Sequence, residues 1–373
     1  MVYECRKGRD GINRRSSIPL EKTMTLTWRA LSQLNKMNTN AAGNKISVVI
    51  PAKNASRTIA ECLDSIYSSR SVDFEVIVVD DGCTDDTIDI ASKYNCLVLK
   101  NNLQIGVSGA RNAGARVSTG EVLVFIDTDI VVPGNALSRI AVMIDTPGVS
   151  AIVGMLGEKI RFNNFSSQYK NLWMSYTFNN LPESISLIFS SIAAIKKDCF
   201  LECGGFDINY RYPNVEDNEL GIKLSDRGYG IILDKTLQVE HLKHYTLFTL
   251  LKTHYLRTKG LIKLFHRNKL ITRSKGNPSN VPGHFILNIP LTMALIGILI
   301  SLVSKNYFSY KIAVLSLLVL SFILANCRWL FFLKKRRGAL FMFLSLIYLP
   351  FEFVLVIAGL FVGQVEYLLG RKY

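Results

Sequence analysis

The sequence predicts an α/β domain with a mostly parallel sheet, followed by an all-α region that crosses a membrane. β-Branched runs at 45–50 and 74–79 are typical of buried parallel strands, and the segment 58–67 between them has the spacing of an amphipathic helix. Strands that alternate with helices form an open sheet, and its ligands bind beyond the carboxyl ends of the strands. The long apolar runs after Phe285 predict the membrane region.

A third strand is predicted at 120–126, and it ends in the triplet Asp127-Thr128-Asp129. Because residues two apart in an extended segment point the same way, Asp127 and Asp129 are expected to face one cavity. Two clustered carboxylates repel each other unless a cation lies between them, and Mg²⁺ or Mn²⁺ prefers such oxygen ligands. A solvated turn or a helix cap is the alternative interpretation of the triplet.

The second strand also ends in acidic residues, Asp80-Asp81-Gly82, and a short helix is predicted after it at 86–94. Asp81 and Asp127 are expected at the same edge of the sheet, because parallel strands end together there. A plain turn is the alternative for this segment.

Four ordered motifs carry a resemblance to a known family. They are Val48-Val49-Ile50-Pro51-Ala52-Lys53-Asn54, Val78-Val79-Asp80-Asp81-Gly82-Cys83-Thr84-Asp85, Gly109-Ala110-Arg111-Asn112-Ala113-Gly114 and Asp127-Thr128-Asp129. Their order and spacing resemble those of family-2 inverting glycosyltransferases, which have the Rossmann-like GT-A fold. Segments 204–207 and 214–220 resemble the acceptor-side loop and the Glu-Asp motif of that family. The resemblance covers residues 45–241.

The resemblance implies a nucleotide-sugar donor and a divalent cation, Mg²⁺ or Mn²⁺. It implies that the donor is bound by Pro51, Ala52, Asn54, Asp81 and Asp127. Asp81 would hydrogen-bond the base, and Asp127 would approach the ribose or the sugar. Asp129, with His241 as a further ligand, would hold the metal that bridges the diphosphate. Asp217 would be the general base.

The chemistry of transfer agrees with these residue types. A divalent cation stabilises the charge that develops on the departing phosphate oxygens, so the leaving group needs no acid. The attacking hydroxyl needs a base, and Asp217 is suited to that role. A single displacement inverts the anomeric centre. An acidic first turn of the helix predicted at 218–227, stabilised by the helix dipole, is the alternative for Glu216-Asp217, and both can hold together.

Arg111 has two interpretations of equal weight. Its side chain lies in a Gly-rich segment and could reach the diphosphate, or Arg111 and Arg116 could lie on a solvated helix face.

The sequence therefore predicts an inverting glycosyltransferase that moves a sugar to a lipid-linked or membrane-embedded acceptor. A processive polysaccharide synthase is one alternative, but of the Gln-x-x-Arg-Trp motif of such enzymes the segment 254–258 keeps only Arg257. A nucleotide-sugar-binding membrane scaffold without turnover is another, although a scaffold has no need of Asp217. A Rossmann dehydrogenase is excluded, because no Gly-x-Gly-x-x-Gly follows the first strand.

Three apolar runs, at 285–303, 312–333 and 340–360, predict about three membrane spans. Basic residues cluster before the first span and at 334–337, so the positive-inside rule places the catalytic domain in the cytoplasm and the carboxyl terminus outside. The protein is expected in the plasma membrane. Pro350 and Glu352 interrupt the third run, and a hairpin that returns the tail to the cytoplasm is the alternative. Glu352 is expected to face other helices.

The formal net charge of +15 is concentrated beside the predicted spans, where it favours anionic lipid headgroups as partners and not nucleic acid. Seven cysteines without Cys-x-x-Cys spacing suit a reducing cytoplasm. The predicted division is a basic arm at 1–44, a catalytic domain at 45–244, interfacial amphipathic helices at 245–283 and a membrane region at 284–373. The sequence leaves the oligomeric state undetermined.

Overall fold

The computed structural model describes residues 45–69, 72–101, 106–210, 213–268, 282–304 and 306–373. The arm predicted at 1–44 and the basic residues at 269–281 lie outside the described residues. The described chain begins with a mixed nine-stranded sheet flanked by helices and ends in long apolar helices.

The catalytic part is built from short, regularly alternating elements. The strands are β1 (Ile46–Ala52), β2 (Phe74–Asp80), β3 (Leu97–Lys100), β4 (Val122–Ile126), β5 (Ile130–Val131), β6 (Val149–Leu156), β7 (Ser184–Ile185), β8 (Ile192–Lys196) and β9 (Gly230–His241). The helices are α1 (Ile59–Tyr67), α2 (Thr87–Ala91), α3 (Val107–Val117), α4 (Ala136–Ile144), α5 (Phe165–Asn179), α6 (Lys197–Glu202) and α7 (Glu216–Asp226).

The sheet has the order β3-β2-β1-β4-β8-β6-β9-β5, with β7 pairing to β9. The first four strands are parallel, as the sequence predicts. β8 runs antiparallel to both β4 and β6, so the second half of the sheet is mixed. The α/β class is confirmed. The sequence predicted no strand beyond residue 126, so the mixed second half of the sheet was not predicted.

The core of this domain lies along β1 and β4, whose apolar side chains are fully buried. Helix α3 packs directly on β1: a Cβ added at Gly114 would come within 2.4 Å of Val49 Cγ1. Only glycine permits this approach, and it fixes the helix over the strand ends. The polar residues on the inner side of α3 are thereby held at the edge where the sequence places the site.

A long helix, α8 (Leu247–Arg267), follows the sheet, and Thr246 caps it by accepting a hydrogen bond from the Thr249 backbone N–H. It occupies most of the segment predicted to be amphipathic. Leu250 and Leu264 are buried, whereas Phe248 is 73% exposed, so the helix carries apolar side chains on more than one side. An exposed apolar side on a basic helix suits a membrane surface.

The carboxyl-terminal region contains α9 (Gly283–Ile286), α10 (Asn288–Ser301) and α11 (Phe308–Leu368). In the described part of the chain, the helical stretches Gly283–Ser301 and Phe308–Leu368 are long and apolar enough to cross a membrane. This is a property of length and composition, which core helices of soluble proteins can share.

Helix α11 turns back on itself at Gly338, where φ is +85° and ψ is 177°, a conformation that glycine adopts without steric cost. The rings of Phe322 and Phe353, on either side of the turn, lie 6.3 Å apart, so the two limbs run antiparallel. The basic residues 334–337, predicted as a loop, are the last helical residues before the turn. We call this element the hairpin.

The hairpin is docked on the catalytic domain at its turn. Arg336 Nε lies 2.5 Å from the Glu158 carboxylate, and the Phe165 and Phe341 rings are 5.1 Å apart. Glu352 is buried and accepts a hydrogen bond from the Tyr169 hydroxyl at 2.6 Å. Glu352 therefore faces other helices, as expected.

The second limb of the hairpin lies along α8. Cβ atoms added at Gly359 and Gly363 would come within 2.7 Å of Tyr255 O and 2.4 Å of Ile262 Cγ2, so these two glycines allow close helix packing. The Tyr373 ring lies 5.4 Å from that of Tyr210. The tail thus ends beside the catalytic domain. The hairpin alternative placed its turn within the third run, near Pro350 and Glu352, whereas the turn in the structure lies at Gly338, before that run.

Candidate active site

A cavity of about 440 Å³ opens where β1, β2 and β4 end. Its wall contains every site residue predicted from the sequence except Asn54, namely Pro51, Ala52, Asp81, Arg111, Asp127, Asp129, Asp217 and His241. Residues far apart in the chain thus meet at the strand ends, where an open α/β sheet binds its ligands.

The two aspartates after β2 have different roles. Asp80 makes the turn, because its carboxylate accepts hydrogen bonds from the backbone N–H groups of Gly82 and Cys83 at 3.0 and 2.7 Å. Asp81 is buried in the cavity wall and accepts a hydrogen bond from Asn101 Nδ2 at 2.8 Å. Asp80 therefore forms the turn, and Asp81 lines the cavity, where its role in binding the base stays a prediction.

Asn54 is exposed and is not part of the cavity wall. Its backbone has a φ of +50°, and its Oδ1 accepts a hydrogen bond from the Thr84 backbone N–H at 2.8 Å. Asn54 therefore fixes the loop that follows Asp81, and its position suits support of the nucleotide pocket better than direct contact.

Arg111 is buried in the cavity wall and does not lie on a solvated helix face. It is 3% exposed, and its guanidinium lies 2.8 Å from Asp127 Oδ1 and 3.2 Å from Glu216 Oε1. Burial alone would lower the pKa of Arg111, but the charges of these two carboxylates raise it. The guanidinium is a buried cross-link between the β4 end and α7, and its charge is already balanced.

Asp127 has partners for both carboxylate oxygens. Oδ1 pairs with Arg111, and Oδ2 accepts a hydrogen bond from Ser191 Oγ at 2.8 Å. Its position in the cavity wall is therefore firmly held. Because both oxygens already have partners, Asp127 is better placed to accept a hydrogen bond from a sugar or ribose hydroxyl than to ligate a metal.

Asp129 and His241 form the second polar pair of the cavity. The pairing of β5 with β9 brings them together, and Asp129 Oδ2 lies 3.4 Å from His241 Nε2. Burial alone would raise the pKa of Asp129, but the hydrogen bond and charge of His241, with Lys243 nearby, lower it. The carboxylate is therefore ionised at neutral pH.

This pair fits a divalent cation. A carboxylate oxygen and an imidazole nitrogen facing one cavity are a suitable donor set for Mn²⁺, and the carboxylate suits Mg²⁺. Within the described residues no group of three or more His, Cys, Asp or Glu side chains is arranged to hold a metal. A cation at Asp129 and His241 would therefore need further ligands from outside these side chains.

Asp217 lies in the first turn of α7, 5% exposed, with Oδ1 accepting a hydrogen bond from the Asn218 backbone N–H at 2.8 Å. Burial and the neighbouring charge of Glu216 raise the pKa of Asp217 to about 6, although Arg257 and Arg111 act in the opposite direction. A carboxylate with this pKa is ionised at neutral pH yet is a stronger base than an exposed aspartate. The helix-turn and general-base interpretations are thus compatible.

Comparison with known proteins identifies the domain that carries this cavity. Residues 47–204 match the family described as Glycosyl transferase family 2. These residues form a family-2 glycosyltransferase domain. The match includes Asp81, Asp127 and Asp129, whereas Asp217 and His241 lie beyond its end.

Two curated relatives have similar sequences over part of this chain. A poly(ribitol-phosphate) beta-glucosyltransferase of Bacillus spizizenii is 38% identical over 103 residues, covering 26% of this chain and 16% of the relative. A UDP-Glc:alpha-D-GlcNAc-diphosphoundecaprenol beta-1,3-glucosyltransferase of Escherichia coli is 27% identical over 196 residues, covering 49% of this chain and 71% of the relative. The chain thus matches a small part of the first relative and most of the second.

Among solved structures, a mannosyltransferase from Pyrobaculum calidifontis in complex with GDP-Man and Mn²⁺ is similar in fold. The superposition has a TM-score of 0.53 at 18% identity and covers 91% of this chain and 94% of the other. At this identity the likeness concerns the fold alone, and it confirms the GT-A architecture.

Four cations in the cavity wall were not predicted as site residues: Lys53, Lys170, Lys243 and Arg257. Arg257 could have been predicted as a site residue, because it is the residue that segment 254–258 shares with the processive synthase motif. Lys243 could also have been predicted, because it lies two residues after His241, the last residue of β9. Lys170 could not have been predicted as a site residue, because nothing in the sequence around it indicates that α5 forms a wall of the site.

Proposed function

We propose that the protein is a membrane-associated, metal-dependent glycosyltransferase that moves a sugar from a nucleotide-sugar donor to a lipid-linked acceptor with inversion. One observation carries the proposal. A buried aspartate of raised pKa, Asp217, shares a cavity with the Asp129–His241 pair, so a base and a diphosphate-binding group serve one substrate space.

The donor would lie along the strand ends. Pro51, Ala52 and Asp81 line the end of the cavity formed by β1 and β2, and we assign them to the nucleotide. Asp127, held by Arg111 and Ser191, is assigned to a donor hydroxyl. A divalent cation held by Asp129 and His241 would stabilise charge on the departing diphosphate. The relation to a mannosyltransferase that was solved with GDP-Man and Mn²⁺ agrees with this assignment.

The acceptor would approach from the side of α7 and α8. Asp217 accepts the proton of the attacking hydroxyl while the bond to the anomeric carbon forms and the bond to the phosphate oxygen breaks. Attack opposite the leaving group is one displacement, so an α-linked donor gives a β-linked product.

The class of acceptor follows from the position of the cavity. Thr253, Leu256 and Arg257 of α8 line it, and α8 also carries the exposed apolar side chain of Phe248. A hydroxyl presented near a membrane surface could therefore reach Asp217. The Escherichia coli relative, by its name, acts on a sugar linked to diphosphoundecaprenol, and a similar acceptor would suit this site.

A panel of nucleotide sugars tests this function. Purified protein would be incubated with each donor, Mn²⁺ and a set of diphosphoundecaprenol-linked sugars, and both released nucleoside diphosphate and glycosylated lipid would be measured. We expect one donor to give both products in equal amounts. Donor binding without release of nucleoside diphosphate would contradict the enzyme and favour a binding scaffold.

For the whole chain we propose a catalytic domain at 45–244, an interfacial helix α8 and a membrane-associated region at 284–373. The turn of the hairpin and the tail both contact the catalytic domain, so both ends of the second limb, which packs on α8, would lie on the same side of the membrane. Helix α10 and the first limb would then be the crossing segments. The positive-inside rule places the catalytic domain in the cytoplasm, with the plasma membrane as the proposed location.

Cysteine labelling in intact cells checks this topology. Cysteines would be placed singly at Ser304, Lys335 and Lys372, and the unmodified chain would give the background from its native cysteines. We expect an impermeant reagent to label the Ser304 variant and to leave the other two at background. Labelling of Lys372→Cys as strong as that of Ser304→Cys would show that the second limb crosses the membrane. Equal labelling of all three would contradict the whole topology.

A further inference from the structure

Lys170 is a buried cation that the proposed chemistry has not used. It lies on α5, is 6% exposed, and lines the cavity. Its ammonium lies 4.7 Å from the centre of the Trp173 ring, and among the described residues it has no hydrogen bond or ion pair. A buried ammonium without an anionic partner is costly, so its retention at a cavity wall points to a ligand that provides the missing charge.

The surroundings of Lys170 are positively charged. Burial, together with the charges of Arg257 and Lys243, lowers the pKa of Lys170 to about 7, and the charge of Glu352 opposes this shift. Glu352 does not neutralise it, because its carboxylate oxygens are engaged with the Tyr169 hydroxyl at 2.6 Å and with His254 Nδ1 at 3.2 Å. Three cations therefore face one space, and an anion bound there would stabilise all of them.

Two members of this cluster lie on other elements than the residues assigned to the nucleotide, whereas Lys243 also lies near Asp129. Lys170 and Arg257 belong to α5 and α8, whereas Pro51 and Asp81 lie at the ends of β1 and β2. Arg257 is close enough to Asp217 for its charge to lower the pKa of that carboxyl. An anion held between Lys170 and Arg257 would thus lie beside the base, where the acceptor must place its hydroxyl.

We propose that Lys170, with Arg257 beside it, binds a phosphate group of the acceptor and so selects sugars that are carried on a lipid diphosphate. This inference rests on the proposed function and adds the chemical class that the acceptor site recognises. The same phosphate chemistry could come from the donor diphosphate, and the experiment therefore separates the two sources.

The test compares Lys170→Met with the unmodified protein on two acceptors. The first is the diphosphoundecaprenol-linked sugar that supports transfer, and the second is the same sugar on an alkyl chain without phosphate. Met preserves the length of the side chain and removes a desolvated charge, so the fold should be retained. Lys252→Met, an exposed charge on α8 outside the cavity wall, is the matched control.

With the diphosphate acceptor, kcat/KM should fall roughly 10- to 100-fold in Lys170→Met, the effect of losing a hydrogen bond to a charged group. The alkyl glycoside should show little change, binding of the nucleoside diphosphate should be unaltered, and Lys252→Met should behave as the unmodified protein. An equal loss on both acceptors, or a loss of nucleoside diphosphate binding, would overturn the proposal. Transfer to the alkyl glycoside alone would also overturn the phosphate-binding proposal, but it would leave the glycosyltransferase function intact. Transfer to neither acceptor would reject the proposed function itself.

Discussion

Asp129→Ala should abolish the metal-dependent part of nucleoside diphosphate binding and lower turnover by roughly 100-fold or more. The carboxylate of Asp129 is ionised and lies 3.4 Å from His241 Nε2, so its removal takes away the one charged ligand of the proposed metal pair. A cation contributes several kcal/mol to stabilising the departing phosphate, and each factor of ten in rate corresponds to about 1.4 kcal/mol.

Calorimetry with the nucleoside diphosphate, with and without Mn²⁺, measures this effect directly. His241→Ala should cause a smaller loss, because a neutral ligand contributes less than a carboxylate. Asp89→Ala, which removes an exposed carboxylate of α2 away from the cavity, should leave binding unchanged. Normal activity of Asp129→Ala at low metal concentration would show that the metal lies elsewhere.

Local patterns in the sequence predicted the catalytic half well. β-Branched strands that end in acidic residues placed Asp81, Asp127 and Asp129 at one edge, because parallel strands end on the same side of a sheet. The partners of these residues could not be predicted in the same way. Arg111 pairs with Glu216, which is 105 residues away in the chain, and no local pattern encodes that contact.

The membrane half shows a different limit. Apolar runs predicted where the helices lie, but both limbs of the hairpin extend beyond the predicted runs 312–333 and 340–360. The turn at Gly338 and the return of the tail depend on tertiary contacts, such as that between Arg336 and Glu158. Lys170 was missed for a related reason: α5 is buried on nearly all sides, between the sheet and the hairpin, so it lacks the amphipathic spacing that marks a wall facing a site.

Asp217→Asn is expected to show the largest effect on chemistry. The amide preserves the shape of the side chain and one hydrogen-bonding oxygen but cannot accept the proton, so kcat should fall by roughly two to four powers of ten. In the unmodified protein, kcat/KM should rise with pH around pH 6, because the carboxyl must lose its proton to act as a base and its pKa is raised to about 6. This rise should be absent in the variant.

Two variants accompany this one. Asp226→Asn alters an exposed carboxylate at the end of the same helix and should leave turnover unchanged. Glu216 is the alternative base, but its carboxylate is already engaged by Arg111 at 3.2 Å and by the Asn214 backbone N–H at 2.7 Å. It is therefore less able to accept a proton than Asp217.

The most direct test of the account is a transfer assay of Asp217→Asn run beside calorimetry of its nucleoside diphosphate binding in Mn²⁺. The account predicts that turnover collapses while the dissociation constant of the nucleoside diphosphate stays at its unmodified value, because the donor is held by Asp81, Asp127 and Asp129 at the strand ends. Turnover near that of the unmodified protein would contradict the assignment of Asp217 as the base.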